Sequence, residues 1–233
     1  MKRSDCAVLV VIAVVLGFFM LVPGAFATFK SVSVAHGFFM SFVKFAILAT
    51  FGECLALRIV AGVYSRPGFG VVPRMLVWGV LGMLIKSAFT IFTTGVPVLL
   101  AHVGFSGTGT SLVATVMSAF MVSTALNLLF APVMMTIHKI TDMHITRTNG
   151  TLGGFFSSID IAMLLKQLDW SVMWHFVFKK TIPFFWIPAH TVTFMLPGEF
   201  QVLFAAFLGI MLGLILAFAG SRKPLNPLAS TSV

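Results

Sequence analysis

The sequence predicts an all-α fold: a polytopic transmembrane helical bundle of about six membrane segments. Three observations predict it. Hydrophobic residues make up 59% of the 233 and charged residues 9%, with a mean hydropathy of +1.07, a balance that soluble globular domains do not carry. Nearly uncharged runs occupy roughly 7–29, 38–57, 75–101, 105–137, 181–198 and 200–221, and several exceed the ~20 residues an α-helix needs to cross a hydrocarbon core. The basic residues also collect in alternate gaps. Lys2 and Arg3 come first, then Arg58, Arg66 and Arg74, then Lys139, Arg147, Lys166, Lys179 and Lys180, and Arg222 and Lys223 in the tail; the other gaps hold only Lys30. Basic loops stay on the cytoplasmic side, so both termini are expected inside and the number of crossings even.

The same composition narrows the function classes. A net charge of +9 could serve nucleic acid, but here the charges sit in short loops where they set topology, and no nucleic-acid partner is expected. Cys6 and Cys54 both lie in apolar segments, which argues against a disulfide framework, and they lack metal-ligand spacing. The chain carries no P-loop, HExxH or GxSxG motif and no paired carboxylates on one helix. With six acidic residues in all, neither an enzyme nor a cofactor is expected. His138, Asp142 and His144 share a short stretch, with His138 and Asp142 on one helical face. A metal site needs three or four ligands, so these read instead as interfacial residues beside basic ones, and no metal is expected.

Residues 1–221 read as one transmembrane domain and 222–233 as a disordered cytoplasmic tail. The run at 7–29 admits two readings. Ala25-Phe26-Ala27 resembles a cleavage site after a basic start, but the apolar stretch exceeds the usual h-region of about 7–15 residues, which favours a retained helix. The runs at 38–57, 75–101 and 105–137 each suit a crossing, with a flexible outer turn at 104–110. The polar gap 138–180 carries the turn signal Asn149-Gly150-Thr151-Leu152-Gly153-Gly154 and then Ser157-x-x-Asp160, a capping-box start. A helix of about 157–175 follows, either lying in the inner interface, where Trp170 and Trp174 are at home, or extending the next crossing. Pro183, Pro188 and Pro197 mark the run at 181–198 as a kinked helix packed inside the bundle, because neighbours must satisfy the freed carbonyls. The last run, 200–221, suits a final crossing.

Intramembrane polar residues are the natural site candidates. Counted from the inner loops at ~1.5 Å per residue, Glu53 lies about 16 Å above Tyr64, Lys86 about 18 Å above Arg74, Asn127 about 18 Å above Lys139 and His190 about 15 Å above Lys180. Four helices thus place one polar group each near the midplane. Lys44 falls about 30 Å above Tyr64, at the outer surface, where its stem can snorkel. Ala46, Ala49, Glu53 and Ala56 form a small-residue stripe, and Gly79, Gly82, Lys86, Thr90 and Thr93 form another. Such stripes let helices approach closely, so Glu53 and Lys86 are expected to pair across them, as interhelical glue or as the lining of a water-filled path.

The C-terminal half resembles a known family. Leu126-Asn127-Leu128-Leu129-Phe130-Ala131-Pro132 resembles the Asp-Gln-x-x-Phe-Ala-Pro motif of the Mpv-type proteins of the mitochondrial inner membrane and peroxisome. Leu168-Asp169-Trp170 then precedes a crossing containing Trp186 and Pro188, which ends in Phe194, Pro197 and Gln201-Val202-Leu203-Phe204-Ala205. That ending is similar to the family's Asn-Phe…Val-Pro-x-x-x-Arg-Val-Leu-Phe-Ala signature. Leu126 stands where the motif has Asp, and Gln201 where it has Arg. The resemblance implies a four-crossing core, with the helix at 7–29 an addition, and channel-like permeation of small solutes.

Together these readings give a small channel or permeation protein whose path is lined or gated by Glu53, Lys86, Asn127 and His190. The alternative is a non-transporting scaffold or assembly protein in which the same residues are glue. The expected location is a bacterial cytoplasmic membrane, with an organelle membrane as the alternative. The expected partner is the lipid bilayer; anionic lipids at the cytoplasmic face and a homo-oligomer are left open.

Overall fold

A backbone in hydrocarbon must satisfy its own N–H and C=O groups, and this chain does so with helices. The computed structural model describes residues 2–104 and 111–221, and no strand occurs among them. The elements are α1 (Arg3–Leu21), α2 (Ala25–Ala35), α3 (Gly37–Ala61), α4 (Val71–His102), α5 (Leu112–Leu129), α6 (Ala131–Arg147), α7 (Leu152–Phe155), α8 (Ile161–Gln167), α9 (Trp170–Val172), a π-helix (Met173–Trp186), α10 (Ile187–Met195) and α11 (Gly198–Ser221). Four helices are long and apolar enough to cross a membrane, and α2 with α3 makes a fifth candidate if that bent pair counts as one span. The expected outer turn beyond Gly104 and the expected tail 222–233 lie outside the described residues.

Polarity in the bundle is inverted relative to a soluble domain. Large apolar side chains such as Val14, Met20, Phe39, Ile91 and Phe184 face outward, while Ser41, Arg74, Ser123, Asn127 and Thr193 are buried. In water such an apolar exterior would be a large unpartnered patch; in lipid it is the solvated face. The apolar helices and this inversion point to an integral membrane protein.

Helix directions follow from the contacts. At one end, here called the basic end, Asp5 of α1 pairs with Arg58 of α3 at 2.7 Å, and Lys2 donates to the Gly62 carbonyl at 2.8 Å. α1 therefore runs antiparallel to α3, and it has no buried residue. At the opposite end, Lys30 of α2 pairs with Glu199 of α11 at 2.9 Å, and Gly52 of α3 packs on Ile210 of α11, so α3 and α11 are parallel. α4 returns antiparallel to α3, α5–α6 runs down against α4, and the stretch from α9 to α10 climbs back against α5.

Several apolar runs break where the backbone demands it. The first run becomes α1 and α2, separated at Gly24 (φ +79°), a left-handed position that suits glycine. α2 then meets α3 at a bend of 117° around His36. The single helix expected at about 157–175 is two pieces. Asp160, rather than Ser157, caps α8 by accepting from the Met163 N–H at 2.9 Å, Leu168 is extended, and Asp169 caps α9 through the Val172 N–H at 2.9 Å. Trp170 thus begins the next climb. That climb accommodates Pro183 within i→i+5 winding, where the Ile187 N–H reaches the Ile182 carbonyl.

α3 and α4 touch through glycine. A Cβ at Gly82 would lie 2.6 Å from both the Ser41 carbonyl oxygen and the Phe45 Cβ, and one at Gly79 would enter the Phe42 ring. The small-residue stripe read on α4 is therefore a backbone contact surface. Gly95, on the same helix, has nothing within 4 Å of a Cβ. Gly82→Ala is expected to cost about 1–3 kcal/mol through overpacking, whereas Gly95→Ala is expected to gain up to about 1 kcal/mol in helix propensity. Thermal melts of the two variants check the contrast.

Candidate functional site

Arg74 and Trp78 stand one turn apart on α4 and project from one face toward α3 and α6. Arg74 Nη1 donates to Glu53 Oε2 at 2.5 Å, its Nη2 faces Asp142 Oδ1 of α6, and its Nε donates to the Phe69 carbonyl at 2.8 Å. Trp78 Nε1 donates to the other Glu53 oxygen at 2.8 Å. His138, one turn before Asp142, packs its ring 4.3 Å from that of Trp78 and brings Nε2 within 3.5 Å of Glu53 Oε1. Lys139 stands 3.7 Å from Asp142. Two carboxylates and two cations thus balance, with α3, α4 and α6 joined through one guanidinium whose planar fork reaches two acids at once.

A second polar group lies deeper. Asn127 of α5 and His190 of α10 are both buried, and the Asn127 amide is set against His190 Nδ1, 3.0 Å from Nδ2 and 3.2 Å from Oδ1. Asn127 Nδ2 also donates to the Ser123 carbonyl at 2.9 Å, and Ser123 Oγ donates to the Ile187 carbonyl at 2.7 Å. Trp186 stacks on His190 at 5.1 Å, and Phe89 meets it edge-on at 5.7 Å.

A cavity of about 350 Å³ connects the two groups. Its wall takes residues from α3, α4, α5, α6, the π-helix, α10 and α11, with Glu53, His138 and Lys139 toward the basic end and Asn127 and His190 further in. Between them the wall is mainly apolar: Phe45, Leu126, Met134, Val177 and Leu212 contribute to it. Trp186 Nε1 and His138 Nδ1 are buried without a hydrogen-bond partner among the described residues.

Of the four expected midplane residues, Asn127 and His190 meet directly, and Glu53 shares their cavity. Lys86 does not join them. It lies on α4 about 18 Å along the helix from Arg74, and its Cε stands 3.5 Å from where a Gly37 Cβ would be. The expected Glu53–Lys86 pair is replaced by Glu53–Arg74. The depth count took Arg74 as a surface marker, but its side chain is buried in the first turn of α4, level with Glu53. Arg74 and Trp78 are the partners that reading missed, although their i,i+4 spacing was visible. Lys44, expected to snorkel, is instead folded under the α2–α3 bend at 7% exposure, with Nζ 4.8 Å from the Phe29 ring centre.

Among the motif residues, Phe130, Ala131 and Trp186 line the cavity, and Phe194 packs on Phe89 at 4.9 Å. Pro132 opens α6, Pro188 opens α10, and Pro197 precedes α11, where Gln201 Nε2 donates to the Leu196 carbonyl at 3.0 Å. Trp170 Nε1 donates to the Leu165 carbonyl at 3.0 Å, outside the cavity. His144 turns to the Phe155 carbonyl at 3.1 Å, away from His138 and Asp142. No group of three potential metal ligands occurs among the described residues.

Comparison with protein families, characterised proteins and solved structures finds no match for this chain.

The charge network sets a measurable coupling. Arg74→Met leaves Glu53 and Asp142 facing each other without their shared cation. The expected loss is about 2–4 kcal/mol, below the fully buried range because the Glu53 side chain is 21% exposed. Arg74→Lys is expected to recover less than half, since an ammonium cannot span both acids. In double-mutant cycles read by thermal or chemical unfolding, Glu53→Gln with Arg74→Met should couple by about 1–3 kcal/mol, and Glu53→Gln with Lys86→Met should be additive within about 0.5 kcal/mol.

Proposed function

We propose that this chain is a small membrane permeation protein whose path runs through the central cavity. The observation that carries the reading is the cavity itself: about 350 Å³ in the middle of the bundle, walled by every long helix except α1, with polar groups near both of its ends. The mainly apolar wall disfavours ions, whose desolvation there is costly. That wall suits a small uncharged solute instead. Resemblance to the Mpv-type proteins supports the same class, and three of the residues that carry it, Phe130, Ala131 and Trp186, are cavity residues.

The proposed setting is a bacterial cytoplasmic membrane with both termini inside. The clustering of Lys2, Arg58, Arg66 and Lys139 toward one end supports that orientation. A non-transporting scaffold is the second reading. It is favoured by the extent to which Glu53, Arg74, Asn127 and Ser123 satisfy one another within the protein.

Gly209 separates the two. It lines the cavity, and a side chain there meets nothing within 4 Å at its Cβ, so Gly209→Phe narrows the cavity without a backbone clash. Proteoliposomes of the unaltered chain should release small neutral solutes. Gly209→Phe should slow that release about tenfold, a barrier increase of about 1.4 kcal/mol, with its melting temperature preserved. Vesicles that stay tight with the unaltered chain would reject the permeation reading in favour of the scaffold.

A further inference from the structure

Lys44 and Lys86 have no acid partner among the described residues, although both sit within apolar helices. Lys44 is more than nine-tenths buried under the α2–α3 bend, and Lys86 reaches the same corner from α4, beside Gly37 at the start of α3. Gly37 lies two turns before Lys44 on α3, which sets the two lysines on one stretch of the α3–α4 contact. All six acidic residues of the chain are engaged elsewhere. Asp5 is with Arg58, Glu53 and Asp142 are with Arg74, Glu199 is with Lys30, and Asp160 and Asp169 cap helices. No carboxylate stands within 4.0 Å of either lysine among the described residues. A buried ammonium without a counter-ion is expensive, and the nearest compensation, the face of Phe29, offsets only part of that cost.

The surroundings of Lys44 show what supplies the missing charge. Phe29 and Met40 both line an open groove of about 460 Å³ between α1, α2 and α3, together with Phe18, Phe19, Val22 and Val32. Met40 lies one turn before Lys44 on the same face of α3. Ser33, one turn after Phe29 on α2, is buried with its hydroxyl unpartnered among the described residues. An apolar groove therefore ends on Phe29 and Met40, and the buried cation stands directly behind Phe29, with a second cation and a hydroxyl on the neighbouring turns. That combination matches an amphiphile with an anionic head. A free anion would gain nothing from the groove, and a neutral lipid nothing from the lysines.

We propose that the α2–α3 corner binds an anionic phospholipid, its phosphate between Lys44 and Lys86 and an acyl chain in the groove beside α1. The site lies at the end of the bundle opposite the basic loops, so it is separate from general attraction of acidic lipid to those loops. It depends on neither the permeation nor the scaffold reading.

The test uses the full chain purified in a zwitterionic detergent, with melting temperature read against added phosphatidylglycerol, phosphatidylcholine or inorganic phosphate. Phosphatidylglycerol should raise the melting temperature of the unaltered chain by about 5 °C at saturation, and the other two should have little effect. Lys44→Met and Lys86→Gln should each lose most of that rise, while Lys179→Gln/Lys180→Gln, in the basic set, should keep it. Without lipid, Lys44→Met should melt at or above the unaltered chain, because an unpaired buried charge has been removed. Lys86→Gln, at a half-buried position, carries the test should Lys44→Met not yield folded protein. An equal rise with phosphatidylcholine, a rise that survives both lysine variants, or the same rise with inorganic phosphate would each overturn the proposal.

Discussion

Arg74 reaches into the bundle from the first turn of α4 and faces carboxylates on two other helices. In lipid, no hydrophobic force draws one apolar helix to another, so packing, hydrogen bonds and ion pairs must set register. The glycine contact at Gly79 and Gly82 lets α4 lie close against α3, and the Arg74–Glu53 pair fixes where along its length it lies. Asp142 then brings in α6, which holds the lower part of the α5–α6 descent in place. With those three fixed, α11 packs on the far side of α3, where Gly52 meets Ile210, and the π-helix with α10 lines the remaining side. The cavity is what remains between helices held at these positions.

The helical class was legible because hydropathy, run length and basic-residue spacing all report the same constraint, the thickness of the hydrocarbon core. The sites were legible where one helix supplied the information. His138 and Asp142 share a face by their spacing, which was read correctly, but reading them as interfacial residues missed that they reach Glu53 and Arg74. Asn127 and His190 were recognised as polar groups at midplane depth because each interrupts an apolar run. What failed was register between helices. Glu53 lies about two turns before the end of α3, whereas Arg74 lies in the first turn of α4, and counting inward from each loop as though both were surface markers shifted Lys86 to the wrong partner. Chain direction within an apolar run was equally hidden. The turn at Gly24 falls inside the run 7–29, and the gap that holds His36 gives no sign of its 117° bend, yet the two together bury Lys44.

Polarity inside the bundle is arranged to hold helices together without filling the space between them. The charged cluster is balanced, and the Asn127–His190 contact joins α5 to α10 while leaving an apolar chamber alongside. Such a chamber is poorly suited to hydrated ions and well suited to small molecules that shed water easily. The wide winding from Met173 to Trp186 lies on its wall, where π-helical turns often accompany functional positions.

The central claim is that a solute can reach this chamber in the folded protein, and cysteine chemistry at Gly209 tests it most directly. In a chain with Cys6 and Cys54 replaced by alanine, Gly209→Cys places a thiol on the cavity wall. The account predicts that a small water-soluble thiol reagent modifies this position in the folded protein and that modification stops solute release from proteoliposomes. A thiol that stays unreactive until the protein is unfolded would contradict it.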